Sequence, residues 1–279
     1  MIAAFWDDLK TTSGGDVFSQ YFPSGEVPYF VIEWSDVRTY DENSQESFQI
    51  ILYDEMVPPN GDGEMKLQYK TFNNTSDGNY GGWAPLHGAY CTIGIENQMA
   101  DVGLQYTFNN IYPESAMPLD DETALFITTR QAGLLAVPDV TYSPGSFDFT
   151  LGPDQFTSEN MEIENTGDEG SLLYYSVEKS PFQVSSGGPD TSGNLWSDND
   201  VDGSVDYSWA DIEGLGQELS FPHNDQAGDP IDIGFEFPFY GGSYNQCIVN
   251  ANGWIGFGDD TNLWSNTSIP SPDAPLLAV

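Results

Sequence analysis

Short runs of alternating apolar and polar residues recur along this chain, and Gly, Pro, Asn and Asp separate the runs. In Tyr29–Val37 and Ser47–Tyr53 the apolar positions are filled by β-branched and aromatic residues, which is typical of strands. Long helices are disfavoured because the chain holds 29 Gly and 18 Pro and has no stretch of helical period. The pattern therefore predicts an all-β fold made of β-sandwich domains.

Changes in composition divide the chain into three blocks, at residues 1–133, 134–186 and 187–279. The first block is rich in predicted strands, and the third contains a very acidic loop. Beyond the two strands above, the same criteria predict Glu64–Tyr69, Cys91–Glu96, Leu104–Asn109, Ala124–Thr129, Ser146–Leu151, Asn160–Asn165, Leu172–Lys179, Ile231–Phe237, Gln246–Ala251 and Trp254–Phe257.

The charge balance excludes several classes of function. With 6 Lys and Arg against 44 Asp and Glu, the net charge is −38, so the chain lacks the basic surface that nucleic-acid binding needs. Docking on anionic membranes is disfavoured for the same reason, and no apolar run reaches the ~20 residues of a membrane span. Because 39% of residues are hydrophobic, the chain still has the material for a core. Salt or divalent cations are expected to screen its surface.

An acidic loop at residues 198–206 is the sharpest chemical signal. Oxygen ligands at alternate positions, with Gly203 allowing a tight turn, match the first part of a calcium-binding loop. Trp209 stands where a bidentate Glu would complete an EF-hand, so any site must borrow a ligand from elsewhere. Weaker candidates are the pairs 7–8 and 259–260. The loop predicts a calcium site whose ligands are Asp198, Asp200, Asp202 and Asp206.

No catalytic motif stands out, and we expect the chain not to be an enzyme. It has no Gly-x-Ser-x-Gly elbow and no phosphate-binding loop, and its two His, His87 and His223, lie in predicted loops. Binding of carbohydrate on exposed aromatic rings is an alternative. The Trp residues in polar loops, which are the candidates for such binding, are Trp83, Trp196 and Trp264, whereas Trp6, Trp34 and Trp254 are expected in the core.

The first and third blocks resemble the two halves of a nidogen-like β-domain of large secreted bacterial surface proteins. The third block resembles the first half of that domain, and the first block resembles its second half. The middle block resembles the Ig-like modules that occupy linker positions in such proteins. The segments that carry the resemblance are Phe237–Gly241, Val249–Phe257 and Ile269–Pro275 in the third block, and Ile2–Leu9, Phe30–Trp34, Phe48–Tyr53 and Thr92–Asn97 in the first.

The order of the two halves leaves three arrangements open. The chain is one period of a tandem repeat cut within a domain, a permuted domain whose halves meet in one molecule, or a subunit whose halves complete those of its neighbours. A cut at an arbitrary boundary is the plain alternative. Each half alone would leave an exposed sheet edge and an unfinished core.

The two cysteines, Cys91 and Cys247, fall in predicted strands of different halves. Pairing is the expectation for an acidic, secreted protein, and the bridge would lock the halves together within a chain or between chains. Two buried free thiols are the alternative.

The resemblance implies an extracellular or cell-surface structural protein. We expect the repeating unit of a filament, sheath or giant adhesin, in which copies of the chain join by complementation of half-domains. The alternatives are a non-catalytic accessory region of a secreted peptidase and a carbohydrate-binding module.

Overall fold

The computed structural model describes most of the chain as β-strands and connecting turns. It forms two compact units, one of residues 1–129 with 183–279 and one of residues 130–182. Among the described residues every regular element is a β-strand, as the sequence predicts, and none forms a helix able to cross a bilayer. The described residues are 1–12, 14–25, 27–54, 61–78, 89–129, 140–143, 158, 160–166, 186–199, 205–258 and 263–271.

The strands of both units are numbered here in chain order. The amino-terminal part of the first unit contains β1 (Ile2–Trp6), β2 (Leu9–Lys10), β3 (Asp16–Phe22), β4 (Tyr29–Thr39), β5 (Gln45–Tyr53), β6 (Met65–Thr71), β7 (Thr92–Glu96), β8 (Gly103–Thr107) and β9 (Thr123–Thr128). The second unit contains β10 (Val140–Ser143) and β11 (Glu162–Asn165). The first unit resumes with β12 (Ser186–Gly187), β13 (Leu195–Asp198), β14 (Gln217–Glu218), β15 (Ile231–Phe239), β16 (Gly242–Asn250) and β17 (Trp254–Gly256).

Two antiparallel sheets make up the first unit. One has six strands in the order β15-β16-β17-β1-β7-β8. The other has nine strands, with eight in the order β12-β13-β9-β6-β5-β4-β3-β14 and β2 paired to β4. Each sheet therefore contains strands from before and from after the second unit.

One large core lies between the two sheets. Phe5 of β1 stacks on Phe48 of β5 with their ring centroids 5.4 Å apart, so the sheets touch through aromatic faces. The indole N–H of Trp34 on β4 donates to the carbonyl oxygen of Asn250 on β16 at 3.2 Å, which joins the sheets by a buried hydrogen bond. Because Phe5, Phe48 and Trp34 are fully buried, each removes a large apolar surface from water.

Alternation along the central strands explains why they face this core. Phe30, Ile32 and Trp34 of β4 belong to the core cluster, whereas Val31 lies on the opposite face of the sheet in a smaller apolar cluster. The period of two in the sequence is the period of a pleated strand, in which successive side chains point to opposite faces. The prediction of β4 and β5 from sequence is confirmed to within two residues at each end.

The second unit is described only in part. β10 and β11 pair antiparallel, with Val140 opposite Asn165 and Ser143 opposite Glu162. The predicted strands Ser146–Leu151 and Leu172–Lys179 lie outside the described residues. The Ig-like module therefore stays a prediction.

Candidate functional site

The later part of the first unit completes three strand edges of the earlier part. β17 pairs with β1, so that Ala3 lies opposite Trp254. β13 pairs with β9, and β14 pairs with β3. Unpaired, these edges would expose rows of backbone N–H and C=O groups. We call the three pairings the closure interface, between an amino-terminal half (residues 1–129) and a carboxyl-terminal half (residues 183–279). Of the arrangements that the sequence left open, the structure has the halves paired within one chain.

Gly253 allows the two halves to approach closely at the pairing of β17 with β1. Its carbonyl oxygen accepts hydrogen bonds from the N–H groups of Ala4 and Phe5 at 3.1 and 3.0 Å. The residue has φ of +81°, and a Cβ there would lie 1.9 Å from the carbonyl oxygen of Phe5. Any side chain would therefore push β1 away from β17, so glycine is required at this position.

A segment of the carboxyl-terminal half, residues 206–212, also binds the outer face of the nine-stranded sheet; we call it the strap. The Gln68 side chain donates to the carbonyl oxygen of Ser208 at 2.8 Å and accepts from the Ser208 N–H at 3.2 Å. Gln49 makes the same pair of bonds to Ala210, at 2.6 and 3.4 Å. Two side-chain amides thus bind alternate peptide groups of the strap as a neighbouring strand would.

Glu33 on β4 completes a row of polar side chains with Gln49 on β5 and Gln68 on β6. Its Oε2 accepts hydrogen bonds from the N–H of Ile212 at 3.2 Å and from the Gln49 amide at 2.9 Å. Burial raises the pKa of Glu33, although both of these donors oppose the rise. Gln49 lies opposite both Glu33 and Gln68 across the strands, so the row is set by the sheet register. The strap therefore binds the amino-terminal half through fixed polar groups.

Buried carboxyl groups cluster at the end of the sandwich where β5 begins. Glu46 is fully buried, and its carboxylate accepts hydrogen bonds from the Ser44 hydroxyl and from the N–H groups of Asn73 and Asn74, at 2.7 to 3.0 Å. Burial is the largest cause that raises the pKa of Glu46 to about 7. Burial likewise raises the pKa of Asp7 well above its ordinary value. This end of the first unit therefore gains protons more readily than an exposed acidic surface would.

Three exposed or half-buried acidic residues lie beside these buried groups. One carboxylate oxygen from each of Asp41, Glu42 and Asp77 lies within 4.8 Å of the other two. The Asp41 carboxylate also accepts hydrogen bonds from the N–H of Glu42 and the hydroxyl of Ser76, at 2.8 and 3.1 Å. Oxygen atoms at this spacing are of the type that calcium prefers. The neighbouring pair 7–8, a weaker candidate from the sequence, is buried.

The predicted calcium loop at residues 198–206 is described only at its two ends. Asp198 ends β13, is buried, and accepts hydrogen bonds from the Tyr106 hydroxyl at 2.8 Å and the Met117 N–H at 3.1 Å. The exposed Asp206 accepts a hydrogen bond from the Lys66 ammonium through its backbone carbonyl. Asp200 and Asp202, like the pair 259–260, lie outside the described residues. The calcium site stays a prediction, and the structure gives Asp198 a part in holding β13 in place.

The disulfide prediction is wrong for this structure, since both cysteines are free and buried. Cys247 lies on β16 and Cys91 directly precedes β7, three strands away in the order β16-β17-β1-β7. At about 4.8 Å per strand, this separates them by about 14 Å across the sheet, whereas a disulfide needs Cα atoms within about 7 Å. Val249, Ile255, Ile2 and Ile95 form one row across these strands, and the cysteines lie on opposite sides of it. The two thiols therefore serve as small core residues, the alternative that the sequence left open.

The tryptophans proposed for carbohydrate binding do not form a shared surface among the described residues. Trp196 is only 2% exposed and packs edge-on against Tyr106 at 4.6 Å, so its assignment as an exposed binding residue is wrong. It belongs to the core because β13 is a strand and not a loop. Trp264 is half-buried, and Trp83 lies outside the described residues. The prediction of buried positions is confirmed for Trp6, Trp34 and Trp254.

Sequence patterns missed the strap and its binding row. Glu33, Gln49 and Gln68 stand at the polar positions of alternating strands, which predicts a solvated face, yet each is at most 1% exposed. The residue types do indicate a binding row, because two Gln and one Glu align across three strands. A Gln amide can donate a hydrogen bond to a peptide carbonyl and accept one from a peptide N–H. Without the register of the strands, this alignment is invisible.

Comparisons with known proteins agree with this architecture. A family model described as "NIDO related" matches residues 1–131 and 202–279. The unmatched stretch between these ranges contains the whole second unit, residues 130–182, apart from its first two residues. No curated protein and no solved structure matches the chain.

Replacing Gly253 by Ala tests the close approach of the two halves. We expect G253A to lower the free energy of unfolding by more than about 2 kcal/mol, since it adds a clash with the β1 backbone to the cost of a positive φ. Urea unfolding followed by tryptophan fluorescence measures the loss. Gly214 is the matched control, because its φ is +75° and a Cβ there would meet nothing within 4 Å. Equal losses for G253A and G214A would contradict the assignment.

Removing the charge of Glu46 tests the cause of its raised pKa. Since its folded-state pKa is about 7 against an ordinary 4.5, its contribution to stability is full below pH 4.5 and is lost as pH rises through 7. The wild type should therefore lose roughly 3 kcal/mol more than E46Q between pH 4.5 and 8. Unfolding in urea across this range measures the difference. The exposed neighbour variant E42Q should keep the wild-type slope, and a wild-type slope in E46Q would refute the assignment.

Calcium titration tests the predicted metal loop. We expect calcium at about 100 times its dissociation constant to add about 2.7 kcal/mol to the free energy of unfolding, and chelation to remove it. The double variant D200N/D202N should abolish the shift in melting temperature. The matched variant D41N/D77N, in the other acidic group, should retain it. Loss of the shift only in D41N/D77N would move the site to that group, and no shift in the wild type would remove the claim.

Proposed function

The chain belongs to the NIDO-related family, which indicates an extracellular β-domain protein, and we propose that it is a non-catalytic structural module of a cell-surface protein. We propose further that it is the repeating unit of a filament, sheath or giant adhesin, in which copies join by complementation of half-domains. The observation that carries the proposal is the closure interface, where one half completes three strand edges of the other.

The closure interface supports assembly because each chain carries both of its surfaces. The halves are contiguous stretches of sequence, separated by residues 130–182. A carboxyl-terminal half that pairs with the amino-terminal half of a second copy would make the same hydrogen bonds and bury the same core as it does within one chain. Exchange of an identical element is a low-cost route to association, and a head-to-tail exchange that does not close on itself gives a filament.

The strap adds specificity to this pairing. A strand edge alone accepts many partners, since its hydrogen bonds come from backbone groups. The strap also requires Gln68 and Gln49 at their fixed spacing, together with burial of Ile212 in the apolar cluster on the outer face. A half-domain of unrelated sequence would leave these polar groups buried and unpaired. Pairing is therefore expected to favour another copy of this chain.

The charge of the chain fits a surface assembly. A net charge of −38 on each 279-residue copy makes the sides of neighbouring fibres repel one another. Backbone pairing and apolar burial at the closure interface must outweigh the same repulsion when two copies join. Cations in the medium would set the distance between fibres.

An engineered disulfide distinguishes exchange between copies from closure within one. Ser19 of β3 and Gln217 of β14 lie directly opposite each other, and Cα atoms of opposite residues lie about 4.5–5.5 Å apart, within disulfide range. We expect S19C/Q217C, refolded at high concentration from a mixture of isotopically heavy and light chains, to give covalent multimers containing heavy–light linked peptides. Non-reducing gels and mass spectrometry read the result.

The single variants S19C and Q217C are the matched controls and should give no ladder of multimers. The native Cys91 and Cys247 are buried and should not contribute. Only heavy–heavy and light–light linked peptides, with a monomeric mass of 30.7 kDa by light scattering, would contradict the exchange. Regular filaments by electron microscopy, lost when Gly253 is replaced, would support it.

A further inference from the structure

A small cavity opens on the surface of the first unit beside β16. Its volume is about 200 Å³, and it lies between the loop that follows β7 and the strands β15 to β17. Its lining includes Gln98 and Met99 of that loop and the aromatic residues Tyr240, Tyr244, Trp254 and Phe257. The volume is below the range of about 300–1,000 Å³ typical of drug-sized ligands, so it suits a single small ring.

Aromatic rings provide the walls of this cavity. Tyr244 is half-buried and stacks on Phe257, with ring centroids 4.9 Å apart and planes inclined by 26°. Phe257 also packs against the buried Phe239 at 5.0 Å, which holds the stack in place. Because it stacks on Phe257, the ring of Tyr244 is a fixed apolar surface in the lining of the cavity.

Among the residues that the structure describes, no charged side chain lines the cavity, although 44 of the 279 residues are acidic. The described lining therefore offers no Arg, Lys or carboxylate side chain to pair with a charged ligand, and the amino group of Met1 is buried and donates to the Glu96 carbonyl oxygen at 2.7 Å. On a surface that is otherwise strongly negative, a wall of aromatic rings and amides selects for a neutral ligand.

The cavity also offers polar groups for hydrogen bonds at its rim. The Gln98 amide and the Tyr244 hydroxyl make no hydrogen bond to another described residue, and both are partly exposed. Gly258 leaves room for Gln98, since a Cβ there would lie 2.7 Å from the Gln98 Nε2. An amide supplies donors and an acceptor together, which matches hydroxyl groups that both donate and accept.

We propose that this cavity binds one neutral hexose ring, with an apolar face of the sugar against Tyr244 and hydroxyl groups bonded to Gln98. A sugar has weakly polar C–H faces and a rim of hydroxyl groups. In the cavity, the aromatic ring of Tyr244 suits a C–H face, and the Gln98 amide suits the hydroxyl groups. Neither Trp196 nor Trp264 lines this cavity. The inference goes beyond the structural role, because a filament subunit needs no ligand.

Titration with simple neutral sugars tests the site in the full chain. The probes are methyl β-glucoside, methyl β-galactoside and N-acetylglucosamine, and the readout is the NMR shift of the Trp254 indole N–H, which donates to the Leu263 carbonyl at 3.1 Å. We expect saturable binding of at least one probe. Y244A should weaken it at least tenfold, and Q98A, which removes only the hydrogen bonds, about two- to tenfold.

The matched control is Y40A, since Tyr40 is 49% exposed and lies outside the cavity. It should bind as the wild type does. Q98A changes an exposed loop residue, so we expect this variant to fold. It therefore still tests the site if Y244A unfolds. Three outcomes would overturn the proposal: no saturable shift with any probe, binding that Q98A and Y244A leave unchanged, or a dimer in which Gln98 and Tyr244 are covered by a second copy. None of these bears on the disulfide test of half-domain exchange, so the two proposals fail separately.

Discussion

The unpaired backbone of a strand edge is the constraint on which the first unit depends. Every edge strand carries N–H and C=O groups that must find a partner or water, and an edge beside a large core has little water to offer. The amino-terminal half has three such edges, on β1, β3 and β9, and β17, β14 and β13 of the other half cover them. The core follows from this, since the aromatic stack of Phe5 on Phe48 lies beneath an intact sheet only when β17 holds β1. Closure of the halves is thus a condition for the fold and not an addition to it.

Burial of polar groups is the second consequence of closure. The strap covers Glu33, Gln49 and Gln68, and it brings the peptide groups that satisfy them. Without the strap, water would solvate this row at no cost to the stability of the fold. With a strap of the wrong register, the row would be buried without hydrogen-bond partners, which would lower the free energy of unfolding. The row therefore turns a general affinity between strand edges into a pairing that depends on the position of each residue.

The sequence predicts the parts of this structure that depend on local pattern. β4 and β5 carry apolar residues at every second position because one face of each meets the core, and their predicted bounds agree with the structure to within two residues. β13 was missed because it is four residues long and ends in Asp198, so its polar composition resembles a loop. Its burial comes from pairing with β9, more than sixty residues earlier in the chain. The prediction of a disulfide is wrong for the same reason. Strand order sets the distance between Cys91 and Cys247, and the local sequence pattern does not contain strand order.

Chain connectivity decides when closure within a copy gives way to exchange between copies. Residues 130–182, which form a compact unit of their own, join the two halves of one chain. A covalent connection gives the two halves an effective concentration for each other, which is on the order of millimolar for short flexible linkers. We therefore expect free copies in dilute solution to close on themselves, with the halves paired as they are in the structure. We propose that copies held side by side on a surface, or linked in tandem, exceed that concentration locally, so that the same three pairings would join neighbours there. The structural role that we propose thus depends on where the chain is held, and the long second unit sets the threshold.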